Sequence, residues 1–297
     1  MNTLAIDIGG TKSTIALFEH GPQGVRIVRQ ESHRTDRAGG RARLLDLLSP
    51  LARQWCTEAQ AACCGIGFGG PVDFVNQRVA LSTHVSGWDG FPLRDYFQDL
   101  LGIPTLIDND ANAGALGEAI YGAGVGTRPL FYVTLSTGIG GGLVLEDDQV
   151  YHGADSWAGE IGHITLDPDG PECLCGARGC FERLCSGLWL ERDHGRPAQE
   201  LLTDPNFAAR YATDVARGLK SAVMLLNPAR IVIGGGISKA GDRLLTPLRV
   251  ALREQITSWS GANIEVSLAV LGDASVLWGA MWRGLSACSV ESHLDLS

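Results

Sequence analysis

His163 is followed by Cys173, Cys175 and Cys180, so one imidazole and three thiols fall within eighteen residues. Glycines at 176 and 179 let the chain turn between the thiols, and a shell of one nitrogen and three sulfurs is a preferred tetrahedral setting for Zn²⁺. Four protein ligands close that shell, which predicts a structural zinc with no open position for a catalytic water. Glu160 precedes the His by three residues and Glu182 follows the last Cys by two. Carboxylates beside a rigid loop suit recognition of a polyol, and the second ring nitrogen of His163 could serve a substrate hydroxyl while the first binds metal.

Two turns, Gly9-Gly10-Thr11-Lys12 and Ser136-Thr137-Gly138-Ile139-Gly140-Gly141-Gly142, lack Cβ atoms where a phosphate chain would approach. Hydroxyls of Thr11, Ser136 and Thr137 could add donors to phosphate oxygens. A third run, Gly234-Gly235-Gly236, follows a β-rich stretch and could pass against the flat face of an adenosine. The Walker pattern is absent, and the GxGxxG match at Gly65-Ile66-Gly67-Phe68-Gly69-Gly70 lies in a β-rich stretch and runs into Pro71 and not into a helix, which argues against P-loop and Rossmann readings. Asp7, next to the first turn, could hold the water shell of a nucleotide-bound Mg²⁺ or simply stabilise the turn. In Asp108-Asn109-Asp110-Ala111-Asn112 a strand hands over to a helix. Asp108 or Asn112 could cap that helix, and Asp110 is the candidate to take a proton from a substrate hydroxyl.

Strand signals that would position these groups lie at 4–8, 13–18, 65–68, 105–107, 131–135, 142–145 and 230–233. Helical periodicity covers 41–54, 112–121, 207–226 and 243–258. The alternation predicts an α/β fold. Residues 4–19 and 131–146 read as similar hairpins, each an apolar strand, a Gly/Thr-rich turn and a strand ending in Glu. They are either the trace of a duplicated architecture or two ordinary hairpins. A boundary near residue 118 gives domains 1–118 and 119–297, with a C-terminal helix near 275–288 packing back on the first. The active site is expected in the cleft between them, and the tail beyond Ala287 is expected to fray.

The chain has 297 residues, long enough for two domains with real cores, and its 39 glycines call for local explanations such as the turns above. Net charge is −9, from 33 acidic and 24 basic side chains, so nucleic acid and anionic membrane are poor partners. No export signal or long apolar segment is visible, which predicts a cytoplasmic protein whose eight cysteines are thiols or metal ligands. Cys56, Cys63, Cys64, Cys185 and Cys288 read as core thiols, and His20, His33, His152, His194 and His293 as surface residues.

Together these stretches, with Gly69-Gly70-Pro71-Val72-Asp73 and Gly159-Glu160-Ile161-Gly162-His163, resemble the ROK family of sugar kinases and sugar-responsive repressors over nearly the whole chain. The cysteine knot with its preceding Glu-x-x-His is the specific part. The resemblance implies duplicated actin-like (ribonuclease-H-like) ATPase domains closing on ATP and a hexose, with a zinc loop at 163–182. It puts the general base on Asp110 and sugar contacts on Gly70, Asn109, Asp110, Glu160, His163 and Glu182. His84 stands where many family glucokinases have an Asn, which makes it a further candidate sugar contact. Nucleotide contacts fall on Asp7, Gly9, Gly10, Thr11, Lys12, Ser136, Thr137, Gly138, Gly235 and Gly236. The zinc ligands fall on His163, Cys173, Cys175 and Cys180.

The resemblance thus implies an Mg-ATP-dependent hexokinase, glucose first, in a homodimer as is common in the family. N-acetylmannosamine, N-acetylglucosamine, fructose, allose and mannose are alternative substrates. The other class of function is a sugar-sensing protein without catalysis. A repressor's helix-turn-helix domain is not expected, since Asp7 lies so near the start and the charge is negative.

Overall fold

In β1 (Asn2–Ile8), Leu4, Ala5 and Ile6 are fully buried in succession, which marks a strand covered on both faces. The computed structural model describes residues 1–83 and 85–294. They divide into two units, one of residues 1–117, 152–158 and the chain from Val276, the other of residues 118–151 and 159–275. The chain thus passes from one unit to the other after Gly117, before His152, after Ala158 and after Ser275. No helix among the described residues is long and apolar enough to cross a membrane.

The first unit is built on β1, β2 (Lys12–Gly21), β3 (Gly24–Arg34), β4 (Ala61–Phe68) and β7 (Thr105–Asn109), in the order β3-β2-β1-β4-β7. A small pair, β5 (Val72–Asp73) and β6 (Arg78–Val79), lies between β4 and β7 in sequence. β1 pairs antiparallel with β2 and parallel with β4, which pairs parallel with β7. The helix Gly40–Ala59 buries Leu44, Leu45, Leu48, Ala52 and Trp55, the spacing of one helical face, into a core with Phe68, Trp88 and Phe97.

The C-terminal helix Ser275–Leu294 runs past the point where fraying was expected. It approaches so closely that only glycine fits: a Cβ at Gly279 would stand 1.7 Å from the Ala113 carbonyl oxygen, and one at Gly65 1.6 Å from that of Ala280.

The second unit orders β8 (Leu130–Leu135), β9 (Ile139–Val144), β10 (Arg230–Gly234) and β11 (Glu265–Leu268) as β11-β10-β8-β9. Again the first strand pairs antiparallel with its hairpin partner and parallel with the next, β8 standing to β9 and β10 as β1 stands to β2 and β4. The helix Pro205–Leu226 opens on Asp204, which accepts from the Asn206 N–H, with Pro at the first position. It buries Ala208, Tyr211, Ala212, Val215, Ala216 and Leu219 against Phe131, Phe181 and Ile231.

β3 alternates charged, solvent-facing residues such as Arg26 and Arg34 with partly buried ones such as Ile27 and His33, and as an edge strand it is held by its ladder to β2. β11 is four residues long and is recruited by β10.

Candidate functional site

β1 ends at Ile8 and the chain turns tightly, Gly9 N–H donating to the Lys12 carbonyl at 3.1 Å. The register of β3 on β2, Lys12 opposite Arg34, brings the next residues alongside this turn. Thr35 Oγ1 donates to the Gly9 carbonyl at 2.7 Å, Thr35 N–H to the Thr11 carbonyl at 2.9 Å, and Arg37 Nε to the Gly10 carbonyl at 2.7 Å. Arg37 also donates to Thr11 Oγ1 at 3.1 Å. Three carbonyl oxygens that would repel an anion are thus taken by donors, one of them cationic. Sequence reasoning missed Thr35 and Arg37 because it missed β3; the alternation of β-branched and charged residues in Val25-Arg26-Ile27 was the available signal.

At the end of β7, Asn109 caps the helix Asp110–Tyr121. Its Oδ1 accepts from Ala111 N–H at 2.8 Å and Asn112 N–H at 3.3 Å, so the cap is neither Asp108 nor Asn112. Asn109 Nδ2 donates to the Gly70 carbonyl at 2.9 Å, which leaves one amide proton for a ligand. Asp110 is the first residue of the helix and is half-buried. A Cβ at Gly69 would lie 3.2 Å from the Ile8 carbonyl oxygen, 3.3 Å from Gly9 Cα and 3.5 Å from Asp110 Oδ2. The glycine turn, the Gly69-Gly70 corner and the Asp110 carboxylate therefore meet in one place. His84 lies outside the described residues.

Asp108 faces the other way. It is 1% exposed and accepts from His152 Nε2 at 3.0 Å, Arg283 Nε at 2.9 Å and Asn112 Nδ2 at 3.1 Å. Burial alone would raise its carboxyl, but the His152 hydrogen bond and the Arg283 charge hold it below the ordinary aspartate range. His152, expected at the surface, is largely buried in this contact. His20 is half-buried as well, against Thr3. Of the expected core thiols, Cys56, Cys63, Cys64 and Cys185 are buried and Cys288 half-buried.

In the second unit the β8–β9 turn closes through Ser136 N–H to the Gly138 carbonyl at 3.0 Å. Gly235, with φ +82°, passes so close to β8 that a Cβ would stand 2.4 Å from the Leu135 carbonyl oxygen, so two of the three glycine runs converge. Glu182 Oε2 accepts from Ile139 N–H at 2.8 Å, tying the helix Phe181–Cys185 to the same turn. Gly141 N–H donates to the Gly159 carbonyl at 2.9 Å, which sets Glu160 beside it. Burial pushes the Glu160 carboxyl up, opposed by His163 and reinforced by Glu182.

His163, Cys173, Cys175 and Cys180 each offer one ligand atom, all within 4.8 Å of one another. Cys175 Sγ and Cys180 Sγ are 3.6 Å apart, and Cys173 Sγ is 3.9 Å from His163 Nδ1. Sulfurs bound about 2.3 Å from a tetrahedral zinc lie about 3.8 Å apart, so the donor set and its spacing fit that ion. Gly179 is obligatory here: φ is +56°, and a Cβ would stand 1.7 Å from the Asp167 carbonyl oxygen.

The profile of the ROK family matches residues 3–284. A glucokinase of Halalkalibacterium halodurans is 31% identical over 312 residues, covering 94% of this chain and 93% of its own. The crystal structure of a ROK hexokinase from Thermus thermophilus is 32% identical, with a TM-score of 0.81 over 98% of this chain and 100% of that one. A ROK family glucokinase from Streptomyces griseus, crystallised in complex with glucose and AMPPNP, is 26% identical, with a TM-score of 0.83 over 96% of this chain and 100% of its own.

Proposed function

The chain belongs to the ROK family, and on that basis we propose that it transfers the γ-phosphoryl group of ATP to a hexose hydroxyl, most readily the 6-hydroxyl of glucose. The observation that carries the reading is the meeting of Asp110 with Gly9 and Gly69. A carboxylate at a helix start, beside a turn whose carbonyls are tied off, suits a base that works next to a phosphate chain.

In this reading Asp110 takes the proton as the sugar oxygen attacks the γ-phosphorus in line. Gly70, Asn109, Glu160, His163 and Glu182 hold the hexose. Asp7, the turn Gly9-Gly10-Thr11-Lys12, the turn Ser136-Thr137-Gly138 and the run Gly235-Gly236 hold Mg-ATP, their N–H groups meeting charge on the phosphoryl oxygens. His163, Cys173, Cys175 and Cys180 would hold a structural Zn²⁺, which supplies rigidity to the loop that carries the sugar contacts. The shared strand order of the two sheets supports duplicated actin-like domains. We place the enzyme in the cytoplasm.

The test is ADP release with Mg-ATP against a panel of hexoses and N-acetylhexosamines. Glucose is expected to give the highest kcat/KM. A different preferred sugar would move the substrate within the same chemistry, and no ADP release with any of them would overturn the kinase reading in favour of sugar sensing.

A further inference from the structure

The chain leaves the second unit after Tyr151, spends residues 152–158 in the first, and returns at Gly159. None of the seven forms a helix or strand, so side chains must hold the segment in place. Its attachments converge on two residues. His152 Nε2 lies 3.0 and 3.1 Å from the two oxygens of Asp108, and the His152 ring stacks on Phe74 with centroids 3.7 Å apart and planes 13° off parallel. Ser156 Oγ accepts from Phe74 N–H at 3.0 Å.

The platform is itself immobilised. Gln77 donates to the Phe74 carbonyl at 2.7 Å and accepts from Ile107 N–H at 2.8 Å, pinning the Phe74 loop to β7. Arg283 places its guanidinium 5.1 Å from the Phe74 ring centre while binding Asp108. Asp108 Oδ1 also accepts from Asn109 N–H at 2.8 Å. One buried carboxylate thus serves both the segment 152–158 and the strand end that carries Asn109 and Asp110.

We infer that His152 is a positioning residue: its bond to Asp108 latches residues 152–158 onto the first unit and fixes the point from which the chain runs on into Gly159 and Glu160. An apolar side chain at 152 would fill the same space but would not select one orientation against the carboxylate, whereas a ring N–H shared between both oxygens does. The kinetic consequence rests on the hexose-kinase reading; the latch itself does not.

The test compares wild type, His152→Ala and His152→Gln in the full chain. Hydrogen exchange of the backbone amides in 153–158 is expected to accelerate about tenfold in His152→Ala, the worth of one charge-assisted hydrogen bond, and to recover in His152→Gln, whose amide N–H can reach Asp108. With hexose and Mg-ATP varied separately, His152→Ala is expected to raise KM for the hexose about tenfold and leave KM for ATP unchanged. A general loss of stability would move both constants together and accelerate exchange throughout the chain. Wild-type exchange in 153–158, or no recovery in His152→Gln, overturns the latch. If wild type phosphorylates no hexose, the kinase reading falls while the exchange comparison still decides the latch.

Discussion

Ser275 Oγ donates a 2.7 Å hydrogen bond to Glu118, joining the last residue of the second unit to its first. The Glu118 carboxylate is fully buried and also accepts from the N–H groups of Ala123, Val270 and Leu271 at 2.8, 3.2 and 3.0 Å. Glu118→Ala removes the acceptor shared by four donors, of which the Ser275 hydroxyl is buried and the three N–H groups partly so, and should destabilise the protein by about 1–3 kcal/mol. Glu118→Gln, which keeps one acceptor oxygen, should cost less. Denaturant midpoints measure both, and an alanine variant as stable as wild type would show that water satisfies those donors.

Asp110→Asn should lower kcat by about 10² to 10⁴, the usual worth of a general base, while hexose still binds. Steady-state turnover with calorimetric sugar titration separates the two. Wild-type turnover would remove Asp110 from its proposed role.

Arg37 cancels the Gly10 carbonyl beside the proposed phosphate site. Its replacement by Ala should raise KM for ATP about tenfold, as expected for one charge-assisted contact, without moving KM for the hexose. A change confined to the hexose constant would contradict this.

Purified protein should carry one zinc per chain, and Cys175→Ala should abolish it and weaken sugar binding while nucleotide binding persists. Elemental analysis and separate titrations of the two ligands read this out. Equal metal content in the variant would refute the ligand set.

The Asp108 carboxyl is held below its ordinary value of 3.8, so the unfolded chain takes up that proton first on acidification. Its stabilisation is fully present above about pH 4 and is lost as the pH falls through the depressed folded value. Wild type should therefore lose more stability than Asp108→Asn as the pH falls below about 4. Parallel urea-midpoint curves for the two would show that Asp108 is not held low.

The glycine turns, the thiol spacing and the strand–helix junction at Asp110 could be read before folding, because each is local: what matters lies within a few residues, where chain geometry limits the outcomes. The apolar strands β1, β4, β8 and β10 were readable for a similar reason, since burial leaves a run of apolar side chains. β3 was not, because an edge strand needs no such run, and with it went Thr35 and Arg37. That Asn109 caps the helix while Asp108 turns inward was open in the sequence, since either residue type can cap. Packing closed the choice: His152 and Arg283, 44 and 175 residues away along the chain, supply the donors that make a buried carboxylate tolerable at 108, and no pattern near Asp108 could have announced them.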